Sequence, residues 1–366
     1  PVASHAGDWP AEQEVWLVTY GPGEIYWQRF GHNALWVRDS KLGLDHTFNF
    51  GFFDFEQENF FLRFLQGRML YFSAAQPVRK EFAQYQAERR SIRLQRLNLD
   101  SRQKELLIDY LVDEVSPENR EYLYHYYRNN CSTRVRDAID LAVGGSLQEE
   151  TQSLPASGNW RDHTRRLTAD DFWLYVGLEI GLGSPVDRDS SLWDEMFIPA
   201  ELADAVADEK VGNGASLVIE DTLLLESGWP DPPAEPPSVW YRYLAVSLLV
   251  VLLSWGARRW LPAALLARSW LALAGLVGSA LVFFWIVTDH DVARLNLNLL
   301  VFNPLWLAFA IWNRVSRMAL PFIGLASVLA VVMQWLPPGQ YTADVLAAFL
   351  PFNLAAAYGL KPRAQK

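Results

Sequence analysis

The chain of 366 residues carries 42 acidic against 32 basic side chains, a formal net charge of −10, with 51% hydrophobic residues and a single cysteine. The charge is unevenly placed: up to Ser238 there are 22 Lys and Arg against 39 Asp and Glu, net −17, and from Val239 onward 10 against 3, net +7. An acidic first part excludes a nucleic acid partner, one cysteine excludes an intramolecular disulfide and a multi-cysteine metal centre, and the basic, apolar second part points to a membrane.

The start at Pro1, without a methionine, is consistent with a processed amino terminus from which a secretory signal has been removed. Val15 to Tyr20 is a β-rich run, and Gly31 to Arg38 alternates as a second strand with His32, Ala34, Trp36 and Arg38 on one face. His46 to Gly51 returns antiparallel, Phe60 to Phe64 reads as helical, and Gly67 to Phe72 as a further strand. An amphipathic helix over Arg79 to Arg90, a strand over Ser91 to Leu97 and a helix over Ser101 to Val115, capped by Ser101, complete a sheet-first α+β pattern.

Asn129 and Asn130 are N-cap residues, Val135, Ala138, Ile139 and Ala142 follow at helical spacing, and Gly144-Gly145 supplies a stop. Cys131 is therefore expected in the first turn of a helix, where free N–H groups and the helix dipole favour a thiolate. Leu167 to Leu182 reads as a capped helix. Asp187 to Leu202 is too polar for core and is expected as a packed surface. Leu217 to Leu225 is β-like, and Glu226 to Ser238, with five prolines, is a stiff linker.

Five hydrophobic spans follow, at Tyr241 to Trp255, Trp270 to Val287, Leu295 to Trp312, Met318 to Trp335 and Ala343 to Tyr358. Arg258, Arg259 and Arg268, then Arg314 and Arg317, then Lys361, Arg363 and Lys366 flank one side, and Asp289, Asp291, Arg294 and Asp344 the other. By the positive-inside rule the first set is cytoplasmic, which leaves the amino-terminal domain outside, in the periplasm of a Gram-negative cell. Trp240, Trp255, Trp260 and Trp270 sit where an interfacial belt belongs. The domains are thus 1–225 (extracytoplasmic), 226–238 (linker) and 239–366 (transmembrane).

A cysteine at a helix start with a histidine on a neighbouring strand is the arrangement of thiol acyl-transfer chemistry, in which the imidazole takes the thiol proton and returns it to the leaving group. His32 is the candidate base. Asn49 is the first candidate to orient its ring, His46 the second and Asp54 a weaker third. Backbone N–H groups at the start of the Cys131 helix, with Asn130, are candidates to meet an oxyanion. The bland readings are a buried cysteine and a strand histidine serving structure alone. Six scattered histidines show no paired ligand spacing, so no metal or other cofactor is expected.

The chain resembles the Lnb-type lipoprotein N-acyltransferases, bacterial proteins in which a periplasmic, circularly permuted papain-like domain related to the NlpC/P60 group is fused to a membrane bundle. The resemblance rests on Phe30-Gly31-His32-Asn33-Ala34-Leu35, Phe48-Asn49-Phe50-Gly51 through Phe53-Asp54-Phe55, Gly67-Arg68-Met69-Leu70-Tyr71, and Asn130-Cys131-Ser132-Thr133-Arg134 through Asp137. It continues through Phe172-Trp173, Met196-Phe197-Ile198-Pro199, Thr288-Asp289-His290 and Asn296 to Pro304. It implies Cys131 as nucleophile, His32 as base, a phospholipid acyl donor and, as acceptor, the α-amino group of a lipoprotein's diacylglyceryl-cysteine. It also implies a multi-pass protein of the bacterial inner membrane.

Arg134, Arg136, Tyr71, His290, Asn296 and Asn298 are candidate substrate-binding residues. For Arg134 and Arg136 the alternative is an ion pair on a helix face; for Asn296 and Asn298 it is hydrogen bonding between helices. A membrane-bound thiol phospholipase, a cysteine peptidase, or a non-enzymatic envelope assembly module remain open alternatives for the whole.

Overall fold

A computed structural model describes residues 13–40, 43–210, 214–258, 260, 262–336 and 339–360. Pro1, Arg259, Lys361, Arg363 and Lys366 lie outside them. The strands are β1 (Glu14–Tyr20), β2 (His32–Asp39), β3 (Leu44–Phe52), β4 (Leu70–Pro77), β5 (Ile92–Leu97), β6 (Glu121–Leu123) and β7 (Val218–Leu225). The helices in the first part of the chain are α1 (Phe60–Gln66), α2 (Val78–Ala87), α3 (Ser101–Glu114), α4 (Cys131–Val143) and α5 (Ser146–Thr151). They are followed by α6 (Trp160–Thr168), α7 (Phe172–Gly181), α8 (Leu192–Glu195) and α9 (Pro199–Asp208). The last part holds α10 (Trp240–Ala257), α11 (Ala263–Val287), α12 (Trp306–Ile311), α13 (Asn313–Ser316), α14 (Ala319–Met333) and α15 (Ala343–Gly359).

The chain divides into two compact units, and not by one cut at the proline-rich segment. The first comprises residues 1–64, 68–158 and 189–232, the second 65–67, 159–188 and 233–366.

The first unit is α+β, around a sheet of seven strands in the order β6-β4-β3-β2-β1-β5-β7 with every neighbouring pair antiparallel. Period-two alternation sends Val15 and Leu17 of β1 to one face, and Trp16, Val18 and Tyr20 to the other. On the first face Leu35, Val37, Phe48 and Phe50 pack against Leu107 and Leu111 of α3, Val135 and Ile139 of α4, and Leu202 and Val206 of α9. The second face carries Tyr20 and Ala34 against Tyr85 of α2. Layers on both faces leave the ends of the strands as the place where side chains from the two sides can meet.

Several boundaries differ from the sequence reading. Asp100, not Ser101, caps α3, its carboxylate accepting from the Gln103 N–H at 2.9 Å. Leu167 to Leu182 is not one helix: Thr168 ends α6, and Asp171 restarts the chain as the cap of α7. Asp187 to Leu202 is not merely a surface, because Met196, Phe197 and Ile198 are at most 2% exposed. The acidic residues before them made the segment look polar while its end is core.

The second unit is helical. α10 and α11 are long and apolar enough to cross a membrane, and α7, α14 and α15 are shorter apolar helices. The expected span Leu295 to Trp312 is not a continuous helix. Leu295 has φ +49°, Leu297–Leu300 forms a 3-10 turn, Pro304 lacks an N–H, and α12 begins only at Trp306. Gly275 and Gly278 of α11 let this broken segment approach, since a side chain there would strike Leu307 and the Phe302 carbonyl. Trp270 is half-buried and its indole N–H donates to Asn353 Oδ1 at 2.8 Å.

Segment 159–188 joins this unit through buried charge. Arg161, fully buried, donates to Asp187 at 2.7 and 2.9 Å and to Glu179 at 3.3 Å. Arg165 donates to Asp344 of α15 at 3.3 Å and to Tyr341 Oη at 3.0 Å, and Tyr175 Oη donates to the same Asp344 at 2.6 Å. Removing one partner of such a network leaves the others charged and unpaired, at a cost of about 3–5 kcal/mol. Arg161→Ala is therefore expected to lower the thermal unfolding temperature of the detergent-solubilised protein by many degrees; an unchanged transition would show that water reaches these carboxylates.

Candidate active site

The helix that carries Cys131 begins where its sequence dictates. Asn130 is the N-cap: its Oδ1 accepts from the Thr133 N–H at 2.9 Å, and Gly144, at φ +79°, ends the helix. Both hydrogens of the Asn130 amide are used as well, on the carbonyls of Tyr126 (3.0 Å) and Phe197 (2.9 Å). Asn130 thus fixes the start of α4 and has no side-chain N–H left to donate to a substrate oxyanion.

The next residue ties α4 to β2. Ser132 Oγ lies 2.8 Å from Asn33 Oδ1 and 2.7 Å from the Met196 carbonyl. Asn33 in turn donates to Thr19 Oγ1 at 2.8 Å. Since Asn33 follows His32 and Ser132 follows Cys131, this contact brings base and thiol to one point at the end of the sheet. Two glycines clear the space. Gly31, at φ +83°, turns the chain into β2, and Gly51, at φ +95°, faces Cys131 so closely that an added Cβ would lie 3.4 Å from the cysteine Cβ.

His32 and Asn49 are diagonal cross-strand neighbours, because Asn49 pairs with Ala34. His32 Nε2–H donates to Asn49 Oδ1 at 2.8 Å, which leaves Nδ1 for the sulfur. The orientation of the Asn49 amide is set from behind: its Nδ2 donates to Glu81 Oε2 at 2.8 Å. The same carboxylate oxygen accepts from Thr47 Oγ1 and from Gln76 Nε2, the latter at 2.9 Å. Glu81 has no exposed surface and comes from the first turn of α2. Behind the imidazole, Tyr20 and Tyr85 stack on each other at 3.5 Å, with the His32 ring nearly parallel to both.

Burial works against charge on both partners of the dyad, and their mutual attraction outweighs it. The Cys131 thiol is held below its ordinary value by the His32 charge, by the hydrogen bond to it, and by the backbone N–H groups of Asn33 and Ser132. The His32 imidazole is held above its ordinary value by Cys131, Asn49 and Glu81. Both shifts favour the thiolate–imidazolium form of the pair over the neutral one. Tyr71 is near enough that, after burial, the Cys131 charge helps push its phenol up to about 12.

Other expected residues fall elsewhere. His46 pairs with Val37, at the far end of β2 from His32, and Asp54 is exposed and caps a turn through the Glu56 N–H. Arg134 binds Glu114 at 2.8 Å and lies over the Tyr122 ring at 4.1 Å; Arg136 binds Asp137 and the Trp193 carbonyl, both at 2.8 Å. His290, Asn296 and Asn298 belong to the second unit. There the Asn296 and Asn298 amides donate to the carbonyls of Glu179, Ile180 and Gly181 at the end of α7. That is the interhelical role. Glu81 and Ser132 were missed, although Glu81 was detectable as a carboxylate in the buried stripe Val78, Glu81, Tyr85.

Residues 10–168 match the Lnb N-terminal periplasmic domain, and residues 231–359 match the Lnb transmembrane domain. The chain belongs to the Lnb family. It is a membrane protein with a periplasmic amino-terminal domain. No curated protein and no solved structure matches it.

In this Lnb protein the ion pair exists between the two perturbed values. It is lost when falling pH protonates the thiolate and when rising pH deprotonates the imidazolium. Alkylation of Cys131 by iodoacetamide is expected to persist below the ordinary thiol range and to fall away only as pH drops through the depressed Cys131 value. In His32→Ala, burial acts without its counterweight, so the onset should move to higher pH than in a free cysteine. Coincident rate–pH curves for the two proteins would refute the ion pair.

Proposed function

We propose that this Lnb protein is a lipoprotein N-acyltransferase of the bacterial inner membrane, its carboxyl terminus cytoplasmic and its catalytic domain a circularly permuted papain-like fold. The observation that carries the reading is the Cys131–His32–Asn49 arrangement in the periplasmic domain of a membrane protein. A thiol whose charged form is favoured by a neighbouring imidazole, itself oriented from behind, is suited to acyl transfer from an ester rather than to storage or packing.

In the first half-reaction the Cys131 thiolate attacks a phospholipid ester carbonyl. A C–S bond forms, the C–O bond breaks, and the imidazolium Nδ1–H gives its proton to the departing lysophospholipid alkoxide. In the second, the neutral α-amino group of a diacylglyceryl-cysteine attacks the thioester. A C–N bond forms and the C–S bond breaks. His32 takes the amine proton, which restores the thiolate–imidazolium pair. The oxyanion of each tetrahedral intermediate is met by the backbone N–H groups of Ser132 and Asn33, which face the sulfur in the resting site, since the Asn130 side-chain N–H groups are committed. Asn49 cannot accept the proton from His32, so its part is to hold the ring and tautomer.

Incubation of the purified protein with a labelled phospholipid is expected to add one acyl mass to Cys131, and addition of a diacylglyceryl lipopeptide to move it to the peptide amine. Cys131→Ala should lower transfer by at least about a thousandfold. Free fatty acid without N-acylated peptide would instead identify a hydrolase, and an unaltered rate in Cys131→Ala would remove the thiol from the chemistry.

A further inference from the structure

Beside the thiol site the first unit exposes a run of aromatic rings that the fold has no internal use for. Tyr71, within electrostatic reach of Cys131, contacts Phe53 with ring centroids 5.3 Å apart, and Phe53 itself lies two residues beyond Gly51, which faces the cysteine. Phe53 continues to Phe55 at 4.9 Å, Phe55 to Phe60 at 5.0 Å, and Phe60 to Phe61 at 5.4 Å, with Trp27 flanking Phe53 and Phe55 at 6.0 and 6.4 Å. Trp27 is 45% exposed, Phe55 54% and Phe61 78%. A contiguous apolar patch of this kind on a domain that carries net negative charge marks a binding surface.

The backbone is shaped to build it. Gly51 carries the chain past Cys131, and Asn59, at φ +59°, turns it so that α1 starts with Phe60 folded back on Phe53 and Phe55. Asparagine is among the few side chains that accept this conformation readily.

We propose that the strip of Trp27, Phe53, Phe55, Phe60 and Phe61 holds the hydrocarbon chain of the acyl donor, with its carbonyl end at Cys131 and Tyr71 as the junction. This rests on the acyl-transfer reading above and adds where the chain lies. Continuity with the site is one argument: four ring-to-ring steps lead outward from the thiol without a charged side chain between the rings. The flanking charges are the second. Asp54, Glu56 and Glu58 are exposed along the same loop, and they disfavour an anionic lipid surface while leaving a neutral chain unaffected. The strip therefore reads the hydrocarbon chain, and the carboxylates beside it act only against an anionic headgroup.

The test uses the whole chain and p-nitrophenyl esters from acetate to octanoate, with Cys131 acylation as the readout, so that no acceptor is needed. In the unaltered protein kcat/KM is expected to climb with each added pair of methylenes. In the Trp27→Ala, Phe55→Ala double variant the octanoate value should fall about tenfold while acetate stays within about twofold; Phe55→Leu, which keeps an apolar side chain, should retain most of the climb. An unchanged chain-length profile in the double variant would overturn the proposal, and so would an equal loss for acetate, which would mean a structural role. A defect seen only when the acceptor amine is added would assign the strip to the acceptor and overturn it too. Failure of every ester to acylate Cys131 in the unaltered protein would instead overturn the acyl-transfer reading, and this one with it.

Discussion

A carboxylate without exposed surface, Glu81, is the fixed point from which the thiol site is built. Isolated in a protein interior, a carboxylate is costly; here Thr47, Asn49 and Gln76 all donate to one of its oxygens. Those three come from paired positions on β3 and β4, Asn49 opposite Ala74 and Thr47 opposite Gln76, so the register of one strand pair supplies every donor. The consequence reaches Cys131 in two steps. Glu81 can only accept, which compels the Asn49 amide to present its oxygen to His32; that oxygen can only accept, which compels Nε2 to carry the proton and leaves Nδ1 for sulfur. In a serine hydrolase triad a carboxylate touches the imidazole directly. Here a neutral amide stands between them, so the ring is oriented with no proton acceptor beside it, and the negative charge that favours the imidazolium is supplied from one residue further away.

The same sheet explains how His32 and Cys131 meet although they come from different layers. His32 and Ala34 face the side covered by α2, and Asn33 and Leu35 the side covered by α4. Within the body of the sheet the backbone would keep residues of the two faces apart. At the end of β2 the sheet stops, and α4 presents its amino terminus there. A shift of one residue in β2 would exchange His32 with Asn33 and remove both the Asn49 bond and the Ser132 contact together. The register of β2 against β1 and β3 thus constrains the thiol site as well as the fold.

Much of this was legible before any coordinates, and the parts that were not have definite causes. Strand alternation placed His32 on the correct strand and face, and the Asn-Asn cap followed by the apolar spacing placed Cys131 in the first turn of a helix, of which it is the first residue. Both signals are local, and local patterns survive without tertiary context. Glu81 was passed over because a charged residue on an amphipathic helix is usually on its wet side; only the partners on β3 and β4 turn that position inward. The span Leu295 to Trp312 was misread for a related reason. Its apolar composition is that of a crossing helix, yet Asn296 and Asn298 spend their amides on the end of α7, which lies more than a hundred residues earlier in the chain, and hydropathy averages over such residues. For Arg134 and Arg136 the sequence offers both a lipid phosphate and an ion pair on the helix face, and the pairs with Glu114 and Asp137 match the second.

The second unit carries a consequence for how the chain assembles. Arg161 and Arg165 lie on α6, inside what the sequence presents as the water-soluble part, but the counter-charge of Arg165 is Asp344 on α15, and the Asp187 that holds Arg161 also accepts the Tyr341 N–H. A cation in the interior of a helical unit is tolerable only with its partners in place. Residues 159–188 therefore cannot reach their final packing until the last helix has been made, some 150 residues later. The seven-stranded sheet has no such dependence: β7 ends at Leu225, so every strand exists before the first membrane-length helix begins at Trp240. The thiol site can form first and independently, while α6 and α7 wait for α15. The thiol site thus depends on residues made before Trp240, whereas the buried charge network is complete only with α15.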